Sequence, residues 1–521
     1  GAKKFFRPAL SDLHDPFLMK DMDRAIMRIE KAILHDEKIL IYGDYDVDGT
    51  TSVATVYLFF KALGIPVDYY VPNRYTEGYG ISLRGINWAK ENGFSLIIAL
   101  DCGIKSIDKI EYANSLSIDF IICDHHLPGD DLPGAIAVLD PKRKDCEYPY
   151  KELSGCGIGF KLITAFAQKN KMPEESFTKF LDFVVVSIAS DIVPITGENR
   201  VLAFYGLHKI NHDPSEGLRA LIRMNSVKKE FTISDLVFVV GPRINAAGRM
   251  DDARNAVRLL ISESEHHAVG NAEILNKQNL DRREYDSSIT VEALAMLQND
   301  PQQSNKRTTV LFQPHWHKGV IGIVASRLID TWYRPTIILT ESNGFATGSA
   351  RSVAGFDIYE AILSCRDLLE QFGGHMFAAG LTMRLENLEA FMQRFEEVVS
   401  TTIQERHLTP EIEINAELKI EDITQKFFSV LKQFAPFGPH NMKPVFVTRQ
   451  VTDTGWSRVV GQDHLKFSVK KESSPSLGGV GFGMASYLEI VKSGRPFDVC
   501  YTLEENEWNG KKRIEMTVKD V

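Results

Sequence analysis

The stretch Asp119-Phe-Ile-Ile-Cys-Asp-His-His126 decides the fold of this chain. Its apolar centre, Phe120 to Cys123, has no polar interruption, which is typical of a strand buried on both faces of a parallel sheet. In open sheets of this kind, ligands bind just beyond the carboxyl ends of the strands. Asp124, His125 and His126 stand at that edge, so a functional site is expected there.

Acidic residues follow other apolar runs in the same way. The runs and the acids that follow them are Lys38–Tyr42 with Asp44, Asp46 and Asp48, Ser95–Leu100 with Asp101, and Phe183–Ser190 with Asp191. Carboxylates crowded at one edge repel each other unless cations neutralise them. The pattern therefore predicts a metal cluster.

Length and composition set the broad class. A chain of 521 residues is too long for one core, and its apolar and charged fractions of 44% and 25% are ordinary for a globular protein. The net charge of −9 argues against an overall basic nucleic-acid binder, although a local basic groove remains compatible with it. The sequence predicts no membrane span, no signal peptide and, from six scattered cysteines, a reduced cytoplasmic protein.

Strands alternating with helices predict an α/β fold with a doubly wound parallel sheet in the first half of the chain. A polar helical stretch follows, then a smaller α/β region, then short strands separated by turns that predict an OB-like β-barrel. The predicted parts are a catalytic domain with its lead-in over 1–261, a connecting helix over 262–300, a second α/β domain over 301–405 and a barrel domain over 406–521.

The glycine run Gly155-Cys-Gly-Ile-Gly159 permits two interpretations. It could belong to a dinucleotide-binding turn, but no strand leads directly into it and its spacing is wrong. A helix that packs closely against a neighbour is the favoured interpretation.

Oxygen donors dominate the predicted cluster. Asp44, Asp46, Asp101, Asp191 and His125 form a set that suits Mn²⁺ or Mg²⁺ better than zinc. Two ions in such a site clamp the oxygens of a phosphoryl transfer, and Asp101 is the candidate to bridge them. The alternative is that each acid caps a helix, which is attractive for any single one. Asp48 and Asp124 are assigned as such caps or as partners that orient the ligands.

Glycine-rich stretches with polar side chains predict phosphate binding in the second half. They lie at 346–352, at 373–380 and at 241–249. Arg351, His375 and Arg249 are the candidate phosphate ligands, with Arg351 able to form a forked contact. Taken alone, either of the first two stretches is better explained as a tight turn.

These motifs together resemble the DHH phosphoesterase superfamily. Asp124-His-His126 with Asp44-Tyr-Asp-Val-Asp-Gly49 is similar to its catalytic domain, and Gly373-Gly-His375 with Ala378-Ala-Gly380 to its associated second domain. Gly241–Arg249 and a barrel preceded by Pro436-Phe-Gly-Pro-His-Asn441 narrow the resemblance to the RecJ family of single-strand-specific 5′→3′ DNA exonucleases. The resemblance extends over nearly the whole chain from Phe5.

The resemblance implies a role for each matching residue. It makes Asp44, Asp46, Asp101, His125 and Asp191 metal ligands, and it places His126 and Arg249 at the scissile phosphate. It assigns Arg74, Ser349 and Arg351 to the 5′-terminal phosphate, with His375 lining the same cleft. Tyr42 stands where some members carry a histidine ligand, so the ligand set of the second ion stays open.

The implied activity is metal-assisted hydrolysis of single-stranded DNA from the 5′ end, in repair and recombination. A helicase and a single-strand-binding protein are the implied partners. The rivals are a DHH phosphodiesterase for short oligoribonucleotides or cyclic dinucleotides and a catalytically silent DNA-binding replication factor. The barrel tail argues against the first rival, and the mutually repelling acids argue against the second.

Overall fold

The computed structural model describes residues 2–224, 230–508 and 511–521. The chain divides into two compact units. Unit 1 comprises 1–70, 79–241 and 412–521, and unit 2 comprises 71–78 and 242–411. Within the described ranges, no helix combines the length and apolar character that crossing a membrane requires.

A parallel five-stranded sheet forms the centre of the first half of the chain. Its strands are β1 (Lys38–Gly43), β2 (Val67–Tyr70), β3 (Phe94–Leu100), β4 (Asp119–Cys123) and β5 (Ala137–Leu139). Their order is β2-β1-β3-β4-β5, and every pair is parallel. The predicted doubly wound sheet is therefore confirmed, and the ends of β1, β3 and β4 deliver the acids to one edge.

Helices cover the sheets and connect the strands. In chain order they are α1 (Ala2–Phe6), α2 (Met22–Leu34), α3 (Val47–Ala62), α4 (Leu83–Glu91), α5 (Ile107–Ser115), α6 (Gly155–Lys169), α7 (Glu175–Thr178), α8 (Leu181–Ser190), α9 (Gly197–His212), α10 (Glu216–Arg223), α11 (Ile233–Asp235), α12 (Gly241–Met250), α13 (Arg254–Leu260), α14 (Glu265–Asn299), α15 (Ile321–Thr331), α16 (Ile358–Leu363), α17 (Leu388–Thr402), α18 (Gln425–Lys432) and α19 (Leu488–Val491). A π-helical turn spans Leu236–Val240.

The apolar run that precedes Asp191 is helix α8 and not a strand. Its residues from Leu181 to Ala189 are all buried, so the sequence shows no amphipathic period. Such a run cannot be assigned to helix or strand by periodicity alone. Asp191 therefore reaches the site from the carboxyl end of a helix.

A mixed sheet forms the core of unit 2. Its strands are β6 (Thr309–Phe312), β7 (Thr336–Ser342), β8 (Phe345–Arg351), β9 (Gln371–His375) and β10 (Ala378–Arg384), in the order β6-β7-β8-β10-β9. The tight-turn interpretation is wrong for 346–351, which lies in β8, whereas 373–380 does contain a tight turn, Met376-Phe377 between β9 and β10. The small residues of these stretches lie in paired strands; Gly380, for example, is paired with Ser349.

The long polar helix is present as α14, with Ser264 as its N-cap. Although its sequence is polar, its carboxyl-terminal part contributes to a core. Ile289, Ala293 and Leu297 are buried there against α15 and β6. A sparse apolar stripe is enough for this contact because only one face of the helix is covered.

A seven-stranded barrel ends the chain. Its strands are β11 (Ala416–Glu417), β12 (Phe446–Asp453), β13 (Arg458–Val460), β14 (His464–Lys470), β15 (Leu477–Gly481), β16 (Phe497–Trp508) and β17 (Lys511–Asp520), in the order β11-β12-β16-β17-β15-β14-β13. Pairing of β12 with β14 closes it. Phe467 belongs to the barrel core, whereas the Trp456 side chain is 74% exposed.

Candidate metal centre and phosphate-binding site

His125 is the centre of the acid cluster in unit 1. Its Nε2 lies 3.2 Å from Asp101 Oδ1, 3.5 Å from Asp191 Oδ2 and 3.7 Å from Asp48 Oδ2. Residues from β3, β4, α8 and the start of α3 thus meet at one point, although the chain separates them widely. The structure therefore brings together Asp101, His125 and Asp191 as the sequence predicts.

Asp101 occupies a strained position at the end of β3. Its φ is +59°, in the left-handed region that residues other than glycine rarely adopt, and the residue is 2% exposed. Its backbone N–H donates to Cys123 O, which ties the end of β3 to the end of β4. Strain of this kind persists where surrounding structure determines the backbone, and it is common at functional sites.

Asp48 is held by the amino-terminal end of α6. Its Oδ2 accepts from Gly155 N at 2.7 Å, and its Oδ1 accepts from Cys156 N at 2.8 Å and from Ser187 Oγ at 2.7 Å. A helix amino terminus favours a carboxylate through its free N–H groups and its dipole. Asp48 thereby fixes the start of α6 and the Ser187 side chain beside His125.

Gly155 is a site residue that the sequence analysis missed. A Cβ on Gly155 would lie 2.7 Å from Asp101 Cβ and 2.9 Å from Asp101 Oδ1. The glycine run does begin a closely packed helix, as the favoured interpretation holds: Gly155 packs against Asp101, and Gly159 packs against Val56 and Leu100. Ser154, which caps α6 by accepting from Gly157 N, is the sequence signal for a helix start here.

Asp44 and Asp46 follow β1 and differ in their contacts. Asp46 caps α3, because its Oδ1 accepts from Gly49 N at 3.0 Å. Asp44 Oδ1 accepts from Gly80 N at 3.3 Å, and Asp44 is fully buried. Of the acids proposed as caps, Asp48 is therefore not the cap of α3. Capping also leaves Asp101 and Asp191 unexplained, since Ser106 occupies the N-cap of α5 and Asp191 ends α8.

Asp124 and His126 form a tight pair. Asp124 Oδ1 lies 2.7 Å from His126 Nδ1, and Asp124 Oδ2 accepts from Ile104 N. Burial favours the neutral acid, but the hydrogen bond from His126, the charge of His126 and the hydrogen bond from Ile104 N together outweigh it and lower the pKa of Asp124 to about 2. Burial opposes charge on His126 too, yet Asp124 raises its pKa to about 9. His126 is therefore a cation at neutral pH, with Nε2 3.3 Å from Tyr79 Oη.

The remaining acids carry unfavourable charge. Desolvation, followed by the charges of Asp48 and Asp46, raises the pKa of Asp101 and of Asp191 well above the usual range. Burial lowers the pKa of His125, which keeps its imidazole neutral. These directions show that Asp46 lies within electrostatic range of Asp101 and Asp191.

The cluster fits divalent cations. Among the described residues, Asp101 Oδ1 and both ring nitrogens of His125 are buried without a hydrogen bond. Ligand atoms of Asp101, His125 and His126, and those of Asp48, His125 and Asp191, lie within 4.8 Å of one another. Carboxylate oxygens with one neutral imidazole are donors that suit Mn²⁺ and Mg²⁺. Tyr42 is buried and its hydroxyl donates to Gly80 O.

Unit 2 holds a separate cluster of cations. Burial and then the charge of Arg74 lower the pKa of Arg351 and of Lys318, so each of these two side chains lies within electrostatic range of Arg74. The Oη of Tyr75, the residue after Arg74, donates to Arg249 O, and Arg249 Nη1 donates to Gly319 O. Arg351 Nη1 donates to Ser349 Oγ at 3.0 Å. Ser349 and Arg351 are thus in contact, and the charges of Arg74 and, unforeseen, of Lys318 belong to the same unit.

The first turn of α15 lies beside this cluster. A Cβ on Gly322 would be 2.8 Å from Ser349 Oγ and 2.9 Å from Arg351 Nη2. A hydroxyl and a guanidinium beside the first turn of a helix form a cradle suited to a phosphate. His375 is exposed on β9, two strands away from Arg351 through Ala378, or about 10 Å at the usual strand spacing. Because both residues are paired with Ala378, they lie in one cross-strand row on the same face of the sheet.

Three segments of the sequence match known domain families. Residues 38–188 match the N-terminal domain of the DHH family, 305–401 match the DHHA1 domain, and 414–520 match the RecJ OB domain. These segments coincide with the parallel sheet, the sheet of unit 2 and the barrel. The fold and the acid cluster thus define a DHH protein with an associated second domain and a barrel.

Curated relatives narrow this class. The single-stranded-DNA-specific exonuclease RecJ of Salmonella typhimurium is 33% identical over 96% of this chain and 90% of its own length. That of Escherichia coli is 32% identical over the same shares. The Bacillus subtilis protein of the same name is 37% identical over the whole chain, which spans 66% of that relative. The chain belongs to the RecJ family.

Solved structures agree with the fold. RecJ from Thermus thermophilus in complex with Mn²⁺ matches 99% of this chain and 73% of its own, with a TM-score of 0.85 at 27% identity. The same protein with Mg²⁺ has a TM-score of 0.77 at 26% identity. An exonuclease RecJ bound to manganese covers 76% of this chain and 97% of its own, with a TM-score of 0.66 at 30% identity.

Proposed function

We propose that this protein is an exonuclease that hydrolyses single-stranded DNA from the 5′ end and releases 5′-mononucleotides, with Mn²⁺ or Mg²⁺ as its cofactor. The observation that carries the proposal is the cluster of Asp101, Asp191 and Asp48 around a neutral, buried His125, with donor atoms left unmatched. The names of the relatives and the Mn²⁺ and Mg²⁺ bound in the solved RecJ structures support the same activity.

Asp44, Asp46, Asp101, His125 and Asp191 would hold two divalent ions, with Asp101 shared between them. Bound cations in such a site activate water and stabilise the charge on the attacking and leaving oxygens. Asp48 and Asp124 orient the ligands, since their oxygens accept from backbone N–H groups and from His126.

His126 and Arg249 act on the phosphate. The cationic ring of His126 can donate from Nε2 to a non-bridging oxygen, because its Nδ1 is held by Asp124. Arg249 supplies a second cation to the scissile phosphate. Arg74, Ser349 and Arg351 bind the terminal 5′ phosphate, which explains why only a free end is attacked. His375 is assigned to the same phosphate-binding surface by family resemblance alone.

The cellular setting follows from the substrate. An enzyme that needs a single strand must have one exposed for it, so we assign it to DNA repair and recombination in the cytoplasm. A helicase and a single-strand-binding protein are the expected partners.

A single assay tests the activity. The protein is incubated with Mn²⁺ and a 5′-phosphorylated single strand labelled at either end, beside a matching duplex and a dinucleotide. Progressive release of mononucleotides from the 5′ end supports the proposal. Cleavage of the dinucleotide alone would indicate a small-substrate phosphodiesterase, and binding without cleavage would indicate a silent DNA-binding factor. The parallel reaction in EDTA should show no release.

A further inference from the structure

The turn that follows α8 carries Asp191 into the acid cluster and has an unfavourable backbone. Ile192, directly after Asp191, has a φ of +59° and its side chain is 64% exposed. A β-branched residue rarely adopts this conformation, so contacts elsewhere must fix the turn. The contacts of the next few residues show which part of the chain does so.

Part of the support for this turn comes from the segment that leads into the barrel. Ile195 N donates to Pro439 O at 2.8 Å. Ile195 is fully buried, and a Cβ on Gly438 would lie only 2.5 Å from Ile195 Cγ1. The backbone at Gly438 therefore touches Ile195, four positions after Asp191, at a distance that only glycine permits.

The segment Phe434–Asn441, here called the clamp loop, is itself held rigidly. Asn441 Nδ2 donates to Phe434 O and Pro436 O, and Gly438 and Asn441 exchange backbone hydrogen bonds. Arg200 of α9 is 4% exposed and donates to the carbonyl oxygens of Phe434, Ala435 and Pro436. Burying a guanidinium on backbone carbonyls is costly unless the geometry is well fixed, so this contact is a specific one.

We infer that the clamp loop is a positioning element of the metal centre: Gly438 and Pro439 fix the turn that carries Asp191. The clamp loop would then contribute to catalysis in addition to any contact with DNA, because its packing on Ile195 sets the position of the Asp191 carboxylate relative to His125. Gly438, Arg200 and Asn441 are positioning residues, since none of them is placed at the reacting atoms. The inference rests on the proposed function, in which Asp191 is a metal ligand.

Direct Mn²⁺ binding tests the inference without relying on activity. Free Mn²⁺ is measured by electron paramagnetic resonance during titration of the full chain. Gly438→Ala should weaken Mn²⁺ binding about tenfold, the lower end of the loss seen when a residue behind a metal ligand is changed. The matched control is Gly478→Ala in β15 of the same barrel, where the nearest atom to a new Cβ is 3.9 Å away. This control should bind Mn²⁺ like the unaltered protein.

A double-variant cycle separates positioning from general damage. In the Asp191→Ala background, Gly438→Ala should cause no further loss of Mn²⁺ affinity, because its effect passes through Asp191. An equal loss in both backgrounds would overturn the inference, and so would unchanged affinity in Gly438→Ala alone. Absence of Mn²⁺ binding by the unaltered protein would instead refute the proposed metal centre.

A second variant covers the case in which Gly438→Ala does not fold. Asn441→Ala removes the donors to Phe434 O and Pro436 O and places no new atom against Ile195. It should also weaken Mn²⁺ binding several-fold while leaving the affinity for single-stranded DNA in EDTA unchanged. Full Mn²⁺ affinity in a folded Asn441→Ala would count against the clamp loop.

Discussion

The acid cluster of unit 1 and the cation cluster of unit 2 both crowd like charges together, but they are built differently. Around His125, short carboxylates stand on backbone positions fixed by strand ends, a helix amino terminus and a left-handed residue. Around Arg351, long side chains converge from β8, the loop at Arg74 and the segment before α15. Short side chains cannot compensate for a displaced backbone, whereas long ones can adjust. Single substitutions in the acid cluster should therefore abolish most of the activity, whereas single substitutions in the cation cluster should reduce it only partly.

The strongest test of this contrast is Asp101→Ala. Loss of the shared ligand should reduce hydrolysis of single-stranded DNA at least about a thousandfold, equivalent to about 4 kcal/mol of transition-state stabilisation. Binding of the strand, measured by fluorescence anisotropy, should remain detectable because the basic side chains of the cation cluster are unchanged. Asp108→Ala, at an exposed acid in α5, is the control and should leave the rate unchanged. Full activity of the Asp101 variant would refute its bridging role.

Gly155→Ala tests whether displacing the backbone behind the acids reduces activity as removing an acid does. Alanine favours a helix by about 1 kcal/mol over glycine, yet here its Cβ must displace Asp101. We expect a loss of about a hundredfold in kcat with little change in the melting temperature. Gly270→Ala in α14 is the matched control, since nothing lies within 4 Å of its new Cβ. Equal activity of the two variants would show that Asp101 tolerates displacement.

The contrast also explains which features the sequence could predict. Asp101 and His125 follow short apolar runs, so the sheet edge could be inferred from the order of residues alone. Asp191 follows a run that is buried on every side, and periodicity could not show that this run is a helix. Gly155 gave a helix signal but no sign of its neighbour, because a contact between α6 and the end of β3 depends on tertiary packing.

The cation cluster depended far more on resemblance than on pattern. The small residues of β8 and of the β9–β10 hairpin suggested turns because glycine and alanine do not reveal which strands pair with them. Arg74 was assigned through the family alone, and Lys318 was not foreseen. Residues that meet only through the reach of long side chains leave little periodic signal in the sequence.

Arg351→Ala should show the graded behaviour. Loss of a charge-assisted contact to a terminal phosphate costs about 1.5–3 kcal/mol, or about tenfold to a hundredfold in kcat/KM. The loss should be confined to 5′-phosphorylated strands and should largely vanish for a 5′-hydroxyl strand. Arg366→Ala, at an exposed arginine of unit 2, serves as the matched control. An equal loss on both kinds of end would place Arg351 elsewhere than at the terminal phosphate.

The smallest expected effect concerns stability and has the opposite sign from the effect on activity. In the absence of divalent ions, Asp101→Asn removes one of several carboxylates whose burial, and then whose mutual repulsion, raises their pKa. The charged form is therefore disfavoured in the folded state at neutral pH, and removing it should stabilise the chain by about 1 kcal/mol. Calorimetry in EDTA should detect this as a rise of about 1 °C in melting temperature.

Mn²⁺ should reverse the order of the melting temperatures of the unaltered protein and Asp101→Asn. Bound only by the folded state, at a concentration 100 times its Kd it should stabilise the unaltered protein by about 2.7 kcal/mol and Asp101→Asn much less. The two melting curves should therefore cross as Mn²⁺ is added, whereas Asp108→Asn should follow the unaltered protein throughout. Curves that run parallel would mean that Asp101 neither suffers from its neighbours' charge nor contributes to holding a metal, and the acid cluster would lose its distinction from an ordinary group of buried polar residues.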